Sequence, residues 1–212
     1  MTEESSRGLS GRRGHAKRND EVILTAARDV FVNDPSAPIS AVAGRAGVGI
    51  SALYRRYAGK EDLLRQLCLS GLHRFILEAE EAEAEPDGWA ALVAFLGRVV
   101  DADVHSLTER LAGAFTPTAE LREAAARAGE LAARLVQRAQ AGGRLRADVT
   151  PEDLALVLEG CAAIRVADAV RTVQLRRRHL ALLIQGLAGP GDPSLPGPAP
   201  QPGELSRWRP EG

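Results

Sequence analysis

The chain has 212 residues, of which 45% are hydrophobic and 26% charged, and its formal net charge at pH 7 is −1. That length holds one large or two small domains with a proper core, and the composition is that of a soluble globular protein. Its two cysteines, Cys68 and Cys161, show neither CxxC nor Cys/His spacing, which argues against a disulfide framework or a zinc module and for reduced, buried thiols. No signal peptide or run of 18 apolar residues is visible, so a cytoplasmic protein without a membrane partner is expected.

Residues 1–17 are rich in Ser, Gly and Arg without apolar periodicity and read as a disordered arm. From about Lys17 to Asn33, apolar residues at Ile23, Ala27, Val30 and Phe31 trace one helical face, which Asn33-Asp34-Pro35-Ser36 breaks. Pro38 is expected at the first position of a second helix, where its missing N–H costs nothing. That helix runs to about Ala46, and a third follows from about Ile50 to Tyr57.

A fourth helix starts at Gly59-Lys60-Glu61-Asp62, carries a stripe of Leu64, Leu67, Cys68, Gly71, Leu72 and Phe75, and fades into the acidic run Glu78–Glu85 before Pro86. One or two helices are expected between Trp89 and Phe115, and another from Thr118 to about Ala141, stopped by Gly142-Gly143. Thr150-Pro151-Glu152-Asp153 is a strong start signal, with Thr as N-cap, Pro in the first turn and acids beside it. The last helix shows Leu180, Leu183, Ile184 and Leu187 at i, i+3, i+4 and i+7. Seven of the twelve prolines fall within residues 190–212, a composition that cannot build a core and reads as a disordered tail. The fold class is all-α.

The charge is unevenly spread. Residues 7–60 carry ten Lys/Arg against four Asp/Glu, whereas residues 61–212 carry 17 against 22. The basic part contains two short apolar-periodic runs joined at Gly47-Val48-Gly49, the second ending in Tyr54-Arg55-Arg56-Tyr57. Two short helices about a glycine turn, with polar and cationic groups on the second, form the layout of a DNA-reading helix-turn-helix. Ala43 has to be small where the helices cross, Gly47 sits where the turn favours positive φ, and Val42, Val48 and Leu53 form the small core that sets the crossing. Two ordinary surface helices joined by a glycine are the plainer alternative.

The segment AVAGRAGVGISALYRRYAGKEDLL, with the helix before it, resembles the N-terminal domain of TetR-type (tetracycline-repressor-like) transcriptional regulators over about residues 18–72. Gly49 departs from the family's usual Ser, and Ser51-Ala52 from its frequent Gly-Thr, so one side-chain phosphate contact is lost while Gly49 still serves as an N-cap. The resemblance implies that Ile50, Ser51, Ala52 and Arg55 face the major groove, that Tyr54 and Lys60 meet backbone phosphates, and that Arg56 touches a base or a phosphate. Tyr57 matches an aromatic that is usually core. Arg18 and Arg45 are candidate phosphate clamps or plain solvated charges. Arg55 is the best candidate for sequence readout, because an Arg bidentate to guanine discriminates by about 1–3 kcal/mol.

The implied organisation is a helix-turn-helix domain over 18–62 and a larger helical domain for effector binding and dimerisation over 63–189. The latter is similar to the subgroup with an SbtR-like C-terminal domain, through ADVTPEDLALVLEG and RRRHLALLIQGL. The last two helices are apolar on one face (Leu154, Val157, Leu158; Leu180, Leu183, Leu187), a face that reads either as dimer surface or as core. Trp89, Phe95, Val99, Phe115 and Leu121 are candidate walls of an effector pocket, with His105, Arg110 and Arg165 as polar handles. Asp101, His105 and Glu109, at i, i+4 and i+8, read either as a solvated polar face or as ligands of a metal-binding or enzymatic bundle. The expected protein is a non-enzymatic, homodimeric, ligand-responsive regulator, a repressor of a palindromic double-stranded operator. It needs no cofactor or metal, and its small-molecule effector is unknown.

Overall fold

The computed structural model describes residues 20–32, 34, 36–104, 115–189, 194–201 and 204. Among them are eight helices and no strand beyond one antiparallel bridge, Leu145 with Ala188. The helices are α1 (20–32), α2 (Ile39–Ala46), α3 (Ile50–Arg56), α4 (Lys60–Glu83), α5 (Gly88–Asp101), α6 (Ala119–Ala141), α7 (Pro151–Ala163) and α8 (Ala169–Leu187). The chain divides into two compact units, Met1–Leu67 and Cys68–Gly212.

In the first unit, α1 buries Ile23, Ala27 and Phe31, α2 buries Ile39, Val42 and Ala43, and α3 is pinned by Leu53. Tyr57 and the α4 residues Leu63, Leu64 and Leu67 complete this core. The turn after α1 is tied by Asp34, whose carboxylate accepts from the Ser36 N–H and hydroxyl at 2.9 and 2.6 Å. Pro38 precedes α2 as its N-cap (φ −72°, ψ 154°) instead of taking the first helical position, since its carbonyl already accepts from the Ala41 N–H at 3.0 Å.

In the second unit, α5 and α6 form the most extensive packing, through Leu92, Phe95, Leu96 and Val99 on one side and Leu131, Leu135 and Ala139 on the other. Against them α7 contributes Leu154, Val157, Leu158 and Cys161, and α8 contributes Leu180 and Leu187. Each fully buried side chain of this size stabilises by roughly 1.5–3 kcal/mol. The helix starts follow their sequence signals. Asp87 caps α5 through the Ala90 N–H (2.7 Å), Thr118 caps α6 through Leu121 (3.2 Å), and Thr150 and Asp153 cap each other's backbone in a capping box with Pro151 inside the first turn.

One segment departs from expectation. The acidic end of α4 remains helical to Glu83, because arginines from the next helices neutralise it. Arg98 of α5 reaches the buried Glu78 at 2.7 Å, and Arg127 and Arg134 of α6 reach Glu80 and Glu83 at 3.2 and 2.7 Å. In the proline-rich segment 194–201 the Leu195 N–H donates to the Asp148 carboxylate at 2.8 Å. The same carboxylate is gripped by Arg146 at 2.9 and 2.8 Å.

Gly88 is required at the α5–α6 crossing, since a Cβ there would lie 2.4 Å from the Arg138 carbonyl oxygen, whereas one at Gly97 meets nothing within 4 Å. Gly88→Ala is therefore expected to destabilise by about 1–3 kcal/mol, and Gly97→Ala, in the same helix, to stabilise by up to ~1 kcal/mol, as read by chemical denaturation. Arg146, and after it the Leu195 N–H, hold the Asp148 carboxyl well below the usual carboxylate range. Its pairing is thus present above the ordinary carboxylate pKa and is lost only as pH falls through the lowered value. An NMR titration should find Asp148 still ionised where other aspartates protonate, and Arg146→Ala should return it toward the ordinary range.

Candidate nucleic-acid interface

The turn between α2 and α3 has the geometry its glycines allow. Gly47 adopts φ 66°, ψ 28°, the left-handed region in which a Cβ is costly. Its N–H donates to the Gly44 carbonyl (3.3 Å) and the Val48 N–H to that of Ala43 (3.0 Å), the paired bonds of a Schellman ending. Val42 and Ala43 are buried beneath this turn, and Val48 is half-buried. Gly49 caps α3 in extended conformation without a side-chain bond, and its carbonyl accepts from Ala52 and Leu53 at 2.9 and 3.2 Å.

With Leu53 fully buried, the opposite side of α3 faces outward. Ile50 is 39% and Tyr54 53% exposed, Ser51, Arg55 and Arg56 are exposed, and Ala52 is half-buried. The basic side chains are not equivalent. Arg45 bonds Asp29 of α1 through Nε and an Nη at 3.1 and 2.7 Å, and Arg56 pairs with Asp20. Such exposed pairs contribute only ~0–1 kcal/mol, so a phosphate can displace them. The Lys60 ammonium lies 5.2 Å from the centroid of the Phe31 ring at the first residue of α4. Among the described residues no carboxylate pairs with Arg55. Tyr57 is buried, and burial pushes its hydroxyl pKa up. Arg18 lies outside the described residues.

In the second unit the residues anticipated from sequence are distributed differently. Trp89, Phe95, Val99 and Leu121 are buried, the first three within the main core, and Phe115 is half-buried. None of them lines an apolar, half-open cavity of about 170 Å³ in this unit. That cavity is walled by Gly71, Leu72 and Phe75 of α4, Val104, Ala128, Gly129 and Ala132 of α6, and Pro151, Leu154, Ala155 and Leu158 of α7. Its sequence signal is a cluster of small residues on α6 where a packed helix would carry larger ones. Arg165 faces Asp103 at 3.6 Å, while His105 and Arg110 lie outside the described residues.

Nor do the anticipated dimer residues face outward. Leu154, Val157, Leu158, Leu180 and Leu187 are in the chain's own core, with Leu183 packed partly buried against it. A helix packed on its own domain spends its longest apolar stripe there. The apolar side chains that remain exposed on and before these two helices are Leu156 (47%), Val166 (45%), Val170 (67%), Val173 (37%) and Leu182 (64%). In the Arg176–Arg178 run, Arg176 is buried between Asp103 (2.8 Å) and the Ala162 and Ile164 carbonyls, and Arg177 grips Asp101 at 2.7 and 2.9 Å. Asp101 is thereby engaged by a guanidinium, and His105 and Glu109 lie outside the described residues. Among the described residues no three metal-ligating side chains cluster, and no helix is long and apolar enough to cross a membrane.

Comparison with known proteins agrees with this geometry. Residues 23–67 match the family model for bacterial regulatory proteins of the tetR family, and residues 87–189 match that for the C-terminal domain of SbtR-like transcriptional regulators. No curated protein sequence matches the chain. Among solved structures, a TetR transcriptional regulator from Streptomyces coelicolor is 25% identical with a TM-score of 0.57, covering 81% of this chain and 99% of its own. A TetR regulator from Mycobacterium vanbaalenii is 24% identical (TM-score 0.58; 84% and 99% covered). The TetR-like regulator LfrR of Mycobacterium smegmatis, solved with proflavine, is 22% identical (TM-score 0.61; 80% and 95%). With a helix-turn-helix whose α3 is exposed in one unit and a larger helical domain as the other, the chain belongs to the TetR family of DNA-binding transcriptional regulators.

Proposed function

We propose that the protein is a cytoplasmic, homodimeric repressor that holds a palindromic operator and releases it when a small molecule occupies the cavity between α4, α6 and α7. The observation that carries this reading is the α3 surface. Leu53 fixes the helix from behind, and Ile50, Ser51, Tyr54 and Arg55, which pairs with no carboxylate among the described residues, project from its outer side. In this reading Arg55 reads a guanine edge, Tyr54 and Lys60 bind phosphates, and Arg45 and Arg56 exchange their aspartates for phosphates as DNA arrives.

One helix-turn-helix reads few base pairs, so two copies are needed, with recognition helices ~34–36 Å apart along the duplex. The exposed set Leu156, Val170, Val173 and Leu182 supports self-association through α7 and α8, in place of the core-facing leucines. A ligand acts by binding one spacing of the dimer better than another, and its leverage equals that difference in affinity. Solved relatives bear on this part: one is described in complex with proflavine, and another as a ketosteroid transcriptional regulator from Mycobacterium tuberculosis.

Arg55→Ala is expected to weaken operator binding by about 1–3 kcal/mol and to relax preference at one base pair. Tyr54→Phe should cost about 0.5–1.5 kcal/mol without changing that preference. Fluorescence anisotropy on operator fragments selected from genomic DNA measures both, and unchanged binding in both variants would remove α3 from the interface. Leu182→Arg is expected to yield folded monomers in sedimentation, whereas Leu154→Ala should leave assembly intact and lower fold stability by about 2–5 kcal/mol.

A further inference from the structure

The cavity of the second unit also carries information about what it takes. Its described walls hold no charged or hydrogen-bonding side chain. The guanidinium groups of the unit that are nearest in sequence to those walls each pair with a carboxylate: Arg74 with Glu78, Arg127 with Glu80 and Arg134 with Glu83. The main-chain polar groups of α6 at Ala128, Gly129 and Ala132 lie in the helix interior, where their hydrogen bonds are already made, and at the start of α7 the capping box takes the Thr150 and Asp153 N–H groups while Pro151 has none. An ionised or strongly polar guest would lose its hydration there without compensation.

The space comes from residue choice. Ala128, Gly129 and Ala132 lie within about one turn of α6, opposite Gly71 of α4 and Ala155 of α7, while the same α6 fills the core with Leu131 and Leu135. Phe75 forms part of the wall, held edge-on against Phe95 at 4.9 Å between ring centroids and 90° between planes. The volume, about 170 Å³, is close to that of the ~150 Å³ apolar cavity known to accept benzene.

We infer that the cavity binds a compact, uncharged, apolar molecule of about the size of one aromatic ring, and rejects its anionic counterpart. This rests on the cavity being the effector site, and the experiment separates the two claims. Thermal unfolding of the full-length protein is followed with toluene and with benzoate, which have nearly the same ring footprint and differ in charge. Ala132→Leu and Ala155→Leu, each filling the space from a different helix, are measured beside the parent chain.

At saturation toluene should raise the midpoint by at least ~2 °C in the parent chain, benzoate should not, and the folded filled variants should lose the shift. Three outcomes overturn the inference: no shift with toluene, an equal or larger shift with benzoate, or an undiminished toluene shift in both filled variants. Operator binding is then measured with and without toluene. A toluene shift that leaves operator affinity unchanged would sustain the ligand class and reject the cavity as the effector site.

Discussion

Glu78 and Arg176 are the charged side chains buried in the C-terminal unit among the described residues, and the layout of that unit follows from how they are matched. A buried charge is tolerable only with an opposite partner and further hydrogen bonds. Arg98 meets Glu78 twice, at a carboxylate oxygen and at its backbone carbonyl (2.7 and 3.1 Å), which ties α5 to α4. Arg176 binds two carbonyls at the end of α7 together with Asp103, bringing the ends of α5 and α7 onto α8. Asp103 holds its position with φ 49°, a conformation costly for a residue with a Cβ, and the ion pair is the evident compensation. Truncating either partner would leave the other charge buried alone, which costs far more than an exposed pair is worth.

The same chemistry is used more weakly in the helix-turn-helix. There the arginines meet aspartates at the surface, where water competes and little energy is at stake. Guanidinium groups therefore serve two purposes in one chain. Where a buried charge is involved, as at Arg98–Glu78 and Arg176–Asp103, they lock segments together, whereas surface pairs such as Arg45–Asp29 and Arg127–Glu80 are held weakly. Arg55, at the middle of the exposed side of α3, stands apart from both arrangements.

What could be read from sequence was whatever is decided locally. The positive φ of Gly47, the Thr150–Asp153 capping box, the Thr118 cap and the inward turn of Leu53 all depend on residues within a few positions of one another. What could not be read depends on distant partners. The helical run through Glu83 needs arginines from about position 98 to 134, and the Leu195 N–H meets Asp148, 47 residues upstream. Apolar periodicity showed that α7 and α8 each have a sticky side but not which neighbour it meets. The stripes assigned to a partner turned inward, and the shorter sets around Leu156 and Val170 were left outside. For the same reason Trp89 and Phe95, proposed as pocket walls, became core, while the pocket is lined by Leu72, Phe75, Leu154 and Leu158 with alanines and glycines between them. Small residues open the space, and single-sequence patterns point to large ones.

The Leu195–Asp148 contact has a further consequence when combined with the bridge between Leu145 and Ala188, where Arg146 N–H meets the Leu187 carbonyl at 3.1 Å. The chain leaves this corner as α7 and returns to it twice, once at the end of α8 and again in the tail. Helices α7 and α8 are thus a loop closed at its neck by two clasps. Opening the second clasp releases only the tail, whereas the first adds to a hairpin that its core side chains and Arg176 also hold. Because closure cost grows only logarithmically with loop length, a long loop can be held by a short neck. The hairpin is accordingly closed at both ends, by Leu145 and Ala188 at its neck and by Arg176 near its turn, with its core leucines packed between.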